Sequence, residues 1–245
     1  MTRAATIDDL IAVMERDQDR LDAAGDARRF WHGVYRRGTV AVRDEIVRGG
    51  FRDPEWLERW DLVFADIYLD AMERWDDGRV PPGPWQVAFE ATRDPALPPL
   101  RHVLLGLNAH VNFDLPQALI AVISDAEFAD PAFMEGRYAD HKHVDDVLTA
   151  RVGNEDRELA AAGPRTVLDR LLTPFNRAGS RRFLKEARAK VFANARELSR
   201  ARTRGDLDVR LGQLEDLCRA KVAELRAPGQ VLLRLTRHGF GVTLP

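Results

Sequence analysis

Apolar residues recur at three- and four-residue intervals along most of this chain, and that spacing predicts amphipathic helices. Local start and stop signals agree with the pattern. Thr6 stands at an N-cap position, the pair Gly49-Gly50 ends the second helix, and Asp53-Pro54 is typical of a helix start. Asp130-Pro131 repeats that start signal. Helices are predicted over residues 7–21, 30–46, 54–75, 85–91, 99–113, 115–123, 140–162, 166–172, 181–202 and 206–226.

The last third of the chain predicts a helical hairpin. Its two long helices are separated by Gly205 and closed by Pro228-Gly229. Residues 230–235 and 240–244 are short β-prone runs, which pair with each other or lie extended. Because no internal repeat or composition break divides the chain, we expect one all-α domain over residues 1–245. That domain is a helical bundle with a basic C-terminal hairpin at about residues 176–228.

Composition narrows the class of protein. The chain is 45% apolar and 31% charged, which is ordinary for a globular protein. No apolar run reaches 18 residues and the first 20 residues lack the zones of a signal peptide, so we expect a cytoplasmic protein without a membrane span. The only cysteine, Cys218, lies at helical spacing from leucines and is predicted to be a buried thiol. Walker-type loops, dinucleotide-binding loops, G-x-S-x-G and HExxH are absent.

Charge is distributed unevenly along the chain. Residues 1–150 carry 17 Lys and Arg against 28 Asp and Glu, whereas residues 151–245 carry 20 against 11. The two parts are therefore expected to attract each other. The basic segment 176–204, with interleaved phenylalanines, has the composition of a phosphate-binding surface. Its aromatic residues fit a core-facing stripe better, so we do not expect a nucleic-acid partner.

The strongest candidate for chemistry is the segment 104–117, in which polar residues interrupt an apolar run. Its polar members include Asn108, His110, Asn112 and Asp114. An unpaired buried amide or imidazole costs roughly 1–3 kcal/mol, so such residues need partners. The segment therefore predicts a buried polar site.

Within the predicted helix 99–113, His102, Gly106 and His110 recur every four residues and share a face that continues to Asp114. The glycine leaves a gap that admits a ligand, a metal ion or a neighbouring helix. The four-residue spacing of His110 and Asp114 is suited to holding one metal ion. In the alternative interpretation, Asp114 forms a capping box with Gln117 and His110 is a hydrogen-bonded core residue.

Two other segments offer partners for this site. On a helix, His141 lies one turn before Asp145, and this pair could complete a metal site that begins with His110 and Asp114. Mixed imidazole and carboxylate ligation suits Zn²⁺, Mn²⁺ or Fe, held between facing helices. Solvent-exposed ion pairing of the same residues is the alternative.

Asp66 is the candidate from the third predicted helix. It lies between the core-type residues Phe64, Ile67 and Leu69, which predicts a partly buried and paired carboxylate. A structural bond to an arginine or to a helix end is the alternative.

Two stretches of the chain resemble a known family. They are FRDPEWLERWDLVFADIYLDAM, residues 51–72, and LRHVLLGLNAHVNFDLPQALIAV, residues 100–122, joined by a segment that contains Trp85. Their shared features are an FA-x-x-Y helix and the run G-x-N-A-H-x-N-x-D-L-P. Over about residues 25–150 the chain resembles an uncharacterised bacterial family, domain of unknown function five-nine-nine-five. The resemblance implies a helical architecture and a centre at His110, and it implies no reaction.

A second similarity concerns residues 106–119 alone. This run is similar to the helix of zinc-dependent phospholipase C and single-strand nucleases, where a histidine and an aspartate four residues later bind metal. The similarity implies His110 and Asp114 as metal ligands. The chain departs from that family because it lacks the N-terminal ligating tryptophan and the later H-x-x-x-E pair.

These observations predict a small-molecule enzyme with a pocket lined by histidine, asparagine and aspartate. The predicted catalytic residues are His110, Asp114 and Asp66. The predicted substrate-binding residues are Asn108, Asn112, Tyr68 and His102. With a divalent metal the reaction is a hydrolysis, and without one His110 is an acid–base catalyst of an isomerase, lyase or cyclase. A non-catalytic ligand-binding protein or a structural adaptor is the alternative, and homo-oligomerisation stays open.

Overall fold

A computed structural model describes residues 3–161, 167–229, 231, 235, 237 and 239–245. Of residues 151–185 it describes the backbone of those within these ranges. Within these ranges the chain is all-α, and none of the described residues forms a strand. A 3₁₀ turn at Ala91–Arg93 follows the helix Gly83–Glu90, and a π-helical turn at His110–Asp114 joins the helices Pro99–Ala109 and Leu115–Val122. The helices are α1 (Ile7–Ala23), α2 (Arg28–Val47), α3 (Pro54–Asp76), α4 (Gly83–Glu90), α5 (Pro99–Ala109), α6 (Leu115–Val122), α7 (Asp125–Ala129), α8 (Pro131–Ala161), α9 (Val167–Arg204) and α10 (Leu207–Arg226).

The helix starts follow the predicted caps. The Thr6 hydroxyl accepts the backbone N–H of Asp9 in a capping box, and the Asp53 carboxylate accepts the N–H of Trp56. The Asp130 carboxylate accepts the N–H of Ala132 at 2.9 Å and so begins α8. The predicted boundary at residue 140 is therefore wrong, because α8 already starts at Pro131. The short helix predicted at 166–172 is part of α9, apart from Thr166, which lies outside the described residues.

Helix α3 supplies the centre of the hydrophobic core. It packs against α6 and the π turn, while α2 packs against α5 and α8. Its buried aromatic and sulfur-containing side chains recur every four residues, which places them in one stripe along the helix. These residues are Trp56, Trp60, Phe64, Tyr68 and Met72. The stripe positions aromatic rings beside the π turn.

The π turn has a local cause in the sequence. Pro116 has no backbone N–H, and in a regular α-helix its ring would clash with the carbonyl of Asn112. The turn over residues 110–114 avoids this clash by inserting an extra residue, and the N–H of Leu115 donates to the carbonyl of His110. The helix therefore continues through the proline with its register changed at the candidate site.

The predicted C-terminal hairpin is present as α9 and α10, which contact each other across Gly205. This glycine has φ +84°, a left-handed conformation that favours glycine. Helix α10 packs against α4 and α5, and α9 packs against α6. Arg202 pairs with Asp125 at 2.6 Å, an ion pair between the basic and the acidic part of the chain. No helix among the described residues has both the length and the apolarity that a membrane crossing requires.

Candidate functional site

The π turn brings His110 and Asp114 together inside the bundle. His110 Nδ1 lies 2.8 Å from Asp114 Oδ2, and both side chains are buried. The turn that carries both residues packs against α3. The two residues that the sequence singled out as the centre of the site therefore form one hydrogen-bonded pair.

Trp85 from α4 holds the carboxyl group of Asp114. The indole Nε1–H lies 2.9 Å from Oδ2 and 3.1 Å from Oδ1. The predicted capping box is consequently wrong, since Asp114 makes no side-chain cap and Gln117 donates to the carbonyl of Phe113 instead. Asp114 is oriented by a buried tryptophan, an interaction that connects α4 to the π turn.

Aromatic rings enclose the imidazole of His110. The Phe64 ring stacks on it with centroids 3.6 Å apart and an interplanar angle of 8°, and Tyr35 meets it edge-on at 4.4 Å. Trp31, Tyr68 and Trp85 lie within about 6 Å by ring centroid. The environment of His110 is thus apolar apart from the groups that face its nitrogens.

Burial controls the protonation of this pair. It lowers the pKa of His110 well below its usual value, with a smaller contribution from the positive charge of Arg188. Burial also raises the pKa of Asp114 well above its usual value, and the hydrogen bond from Trp85 opposes that effect. Burial therefore favours the neutral imidazole of His110, in which one nitrogen carries the proton and the other a lone pair.

Several buried polar atoms around His110 have no hydrogen-bond partner among the described residues. They include His110 Nε2, Trp31 Nε1 and Asp61 Oδ2. Burial, followed by the charges of Asp61 and Asp114, raises the pKa of Tyr35, so both carboxyl groups act on the Tyr35 hydroxyl. Burial raises the pKa of Asp61 to about 7. Native proteins leave few buried polar atoms unpaired, so these atoms are the groups of the enclosure that a water molecule or a polar ligand would satisfy.

Arg188 of α9 is a buried cation among the described residues. Its Nε pairs with Asp145 at 2.6 Å, and its Nη1 lies 3.5 Å from His141 Nε2. Its charge also lowers the pKa values of His110, His141 and Asp61, after the dominant effect of burial in each. Arg188 thus joins the α8 candidates to the surroundings of His110.

The four predicted metal ligands are arranged as two separate pairs. Asp114 holds His110, whereas a guanidinium contacts both His141 and Asp145. In the part of the chain that the structure describes, no three His, Cys, Asp or Glu side chains form a group that could hold a metal ion. A metal at His110 stays a prediction that needs rearranged side chains.

The predicted substrate-binding asparagines contact the chain itself. Asn108 Nδ2 and Asn112 Nδ2 donate to the carbonyl of Phe240 at 2.9 and 3.0 Å. Both asparagines are fully buried. Through these bonds they hold the segment 240–244, which is not paired as a strand.

Tyr68 lies close to the pair, with its ring centroid 5.8 Å from that of His110, whereas His102 lies about two helical turns before His110. The Tyr68 hydroxyl donates to His32 Nδ1 at 3.1 Å, because His32 Nε2 carries its proton toward the carbonyl of Met14 at 2.8 Å. The ring of Tyr68 packs on Trp85 at 4.8 Å. His102 stacks on Phe30 and, with Gly106, lines a cavity of about 10 Å³.

Asp66 lies apart from the enclosed imidazole. Its two carboxylate oxygens accept the backbone N–H of Arg3 at 3.1 and 3.2 Å. Asp61, one turn before the ring that stacks on His110, faces the site instead. The helical period would have identified it, since Asp61, Phe64 and Tyr68 share one face of α3 and Asp66 does not.

A larger concavity lies elsewhere on the surface. A groove of about 910 Å³ is formed between α7, the start of α8 and the end of α9. Its walls combine apolar residues with arginines, and they include Phe128, Met134, Arg196, Arg200 and Arg204. The groove does not include any of the predicted site residues.

The fold and the site define an all-α protein with an enclosed, tryptophan-oriented histidine–aspartate pair at a π turn. The model of the Family of unknown function (DUF5995) matches residues 7–228, and the chain belongs to this family. No curated protein and no solved structure matches the chain. The similarity to zinc-dependent phospholipase C and single-strand nucleases stays a prediction.

Proposed function

We propose that this protein is a small-molecule enzyme that uses His110 as a metal-free acid–base catalyst. The observation that carries the proposal is the geometry of the His110 imidazole. Its Nδ1 lies 2.8 Å from Asp114 Oδ2, while its Nε2 is buried without a partner among the described residues. A positioned imidazole with one free nitrogen is what proton abstraction requires. The reaction class is an isomerisation, elimination or cyclisation.

Asp114 and Trp85 are the positioning residues of this proposal. With its proton on Nδ1, the imidazole donates to Asp114 and leaves the Nε2 lone pair as the base. The indole N–H of Trp85 fixes the carboxyl group that accepts the Nδ1–H hydrogen bond of His110. In its ionised form Asp114 fixes this tautomer and stabilises the imidazolium formed when Nε2 takes a proton, and this form is held against the effect of burial, which raises the pKa of Asp114.

Asp61 supplies the second proton-transfer group. A carboxyl group with a pKa of about 7 both accepts and donates protons near neutrality. Asp61 Oδ2 has no partner among the described residues, so it is available to a polar substrate. Desolvation favours neutral substrates, since the charge of an anion would remain unpaired in this apolar enclosure.

The cavity beside Trp31, Trp85 and Gly106 is about 10 Å³, which is room for at most one water molecule. Substrate entry therefore requires side chains of the enclosure to move. Aromatic side chains that close over a reacting group also exclude bulk water from the proton transfer.

The proposal is tested by proton exchange. A mixture of neutral metabolites with acidic C–H groups is incubated in D₂O and EDTA with the wild-type protein, and deuterium incorporation is read by mass spectrometry. We expect incorporation into at least one compound and its loss in His110→Gln. His143→Gln is the matched control, because His143 contacts Glu45 at 2.8 Å on the outside of the bundle.

Each outcome has a distinct meaning. Incorporation that persists in His110→Gln contradicts the role of His110. Activity that appears only after EDTA is replaced by Zn²⁺, Mn²⁺ or Fe²⁺ supports the metal-dependent hydrolase predicted from sequence. Ligand binding without exchange or turnover supports the non-catalytic ligand-binding protein.

A further inference from the structure

Residues 240–245 lie against the bundle outside any helix or strand, and side chains rather than a neighbouring strand bind their backbone. Two asparagines from the π-turn region, Asn108 and Asn112, donate to the carbonyl of Phe240. Asn112 Oδ1 also accepts the N–H of Val242 at 3.4 Å. One asparagine thus serves an acceptor and a donor of the same segment.

Asn194 of α9 repeats this arrangement two residues further along. Its Nδ2 donates to the carbonyl of Val242 at 3.1 Å, and its Oδ1 accepts the N–H of Leu244 at 2.9 Å. All three asparagines are at least nine-tenths buried. The repeat follows the two-residue period of an extended chain, so the spacing of the asparagines fits a peptide backbone.

Three basic side chains complete the recognition of backbone carbonyls. Lys190 donates to Gly241 at 3.2 Å, Lys221 to Gly239 at 3.5 Å and Arg210 to Pro245 at 3.2 Å. Main-chain hydrogen bonds of this kind give affinity without reading side-chain identity.

Specificity comes from alternate side chains and from one glycine. Phe240, Val242 and Leu244 are buried, whereas Thr243 is exposed. A Cβ at Gly241 would lie 2.9 Å from Ala187 Cα and 2.8 Å from Lys190 Cδ, so only glycine fits there without displacement. The groove therefore selects the pattern apolar–Gly–apolar–x–apolar.

We propose that this groove, formed by Asn108, Asn112, Ala187, Lys190 and Asn194, is a binding site for extended peptides of that pattern. Residues 239–245 are its ligand in cis. A peptide with the same pattern on another protein binds in the same place once the cis segment leaves. This inference does not depend on the activity of His110, because the groove uses none of the groups assigned to catalysis.

The test uses the full chain and a fluorescein-labelled peptide, GFGVTLP. The substitution Gly241→Val expels the cis segment by the clash with Ala187 and leaves the groove residues unchanged. We expect saturable binding of the peptide to Gly241→Val, measured by fluorescence polarisation. Wild type binds at least about tenfold more weakly, because its own segment competes at an effective concentration near the millimolar range.

Matched controls separate specific binding from adhesion to exposed apolar surface. Gly212→Val introduces valine at a helix position where nothing lies within 4 Å, and it should bind the peptide no better than wild type. The peptide GFVVTLP should not bind Gly241→Val, and adding Asn194→Ala to that variant should abolish binding of GFGVTLP. Equal binding of both peptides, or none to a folded Gly241→Val, overturns the proposal.

If Gly241→Val does not fold, hydrogen exchange of the wild type tests whether the groove accepts a peptide in trans. In the wild type, the amides of Val242 and Leu244 should exchange slowly with deuterium, and unlabelled GFGVTLP at several millimolar should accelerate their exchange. GFVVTLP should have no effect. Exchange that is insensitive to GFGVTLP would contradict a groove that accepts the peptide in trans.

Discussion

Gly106→Ala tests whether the glycine gap is filled by a neighbouring helix. A Cβ at this position would lie 2.6 Å from Cδ2 and 2.7 Å from Cδ1 of the Trp31 indole, and closer still to its Cγ. Favourable contacts between carbon atoms lie near 3.5–4.0 Å. Trp31 is buried and stacks on Tyr35, so the indole cannot move into solvent. The predicted gap is therefore occupied by α2.

Two opposing effects determine how far Gly106→Ala changes the free energy of unfolding. Alanine is favoured over glycine within a helix by up to about 1 kcal/mol, while overpacking a core costs typically about 1–3 kcal/mol. The control Gly212→Ala lies exposed on α10 with nothing within 4 Å, so it carries the helix gain alone. The free energy of unfolding of Gly106→Ala should consequently fall about 1–3 kcal/mol below that of Gly212→Ala.

Urea denaturation followed by circular dichroism at 222 nm measures this difference. The slopes of the two transitions should agree, so that the midpoints report stability. Equal stability of the two alanine variants would refute the close packing of Trp31 on Gly106, and with it the arrangement of rings around His110.

Two other predictions concern the protonation and support of the site. Between pH 4 and 7 the folded state holds a proton on Asp61 that the unfolded state releases. The free energy of unfolding of the wild type should therefore fall relative to that of Asp61→Asn as the pH rises through this range, by up to about 1.4 kcal/mol per pH unit. Parallel pH dependences of the two proteins in urea denaturation would contradict this. Trp85→Phe removes the buried donor of Asp114 and should lower the free energy of unfolding by about 1–3 kcal/mol, whereas an unchanged denaturation midpoint would show that this bond contributes nothing.

The fold could be predicted because its signals are local. Apolar spacing and the caps at Thr6, Asp53 and Asp130 indicated most helices, and the C-terminal hairpin was predicted from Gly205 and the Pro228-Gly229 pair. The errors lie where two local signals compete. Asp114 has the sequence of a cap, yet Trp85, 29 residues earlier, determines its contacts.

The part of the site that could be predicted also depends on local spacing in the sequence. His110 and Asp114 are four residues apart, so helical spacing alone brings them together. Asn108 and Asn112 were correctly expected to need partners, but the partner is a carbonyl 132 and 128 residues away, which no local pattern specifies. The burial of Arg188 was not predicted, because the sequence around it is rich in basic residues. It lies four residues before the core residue Phe192, however, and so shares the face of that residue.

The tautomer and titration of His110 test the central claim most directly. In ¹⁵N-labelled protein, two-bond ¹H–¹⁵N spectra distinguish a proton on Nδ1 from one on Nε2. We predict a neutral His110 at pH 7 with its proton on Nδ1, because burial lowers its pKa and the proposed base requires Asp114 to accept the Nδ1–H. In Asp114→Asn the proton should move to Nε2, since the amide can donate to Nδ1. A His110 that titrates near pH 6.5, or that carries its proton on Nε2 in the wild type, would contradict the proposed base.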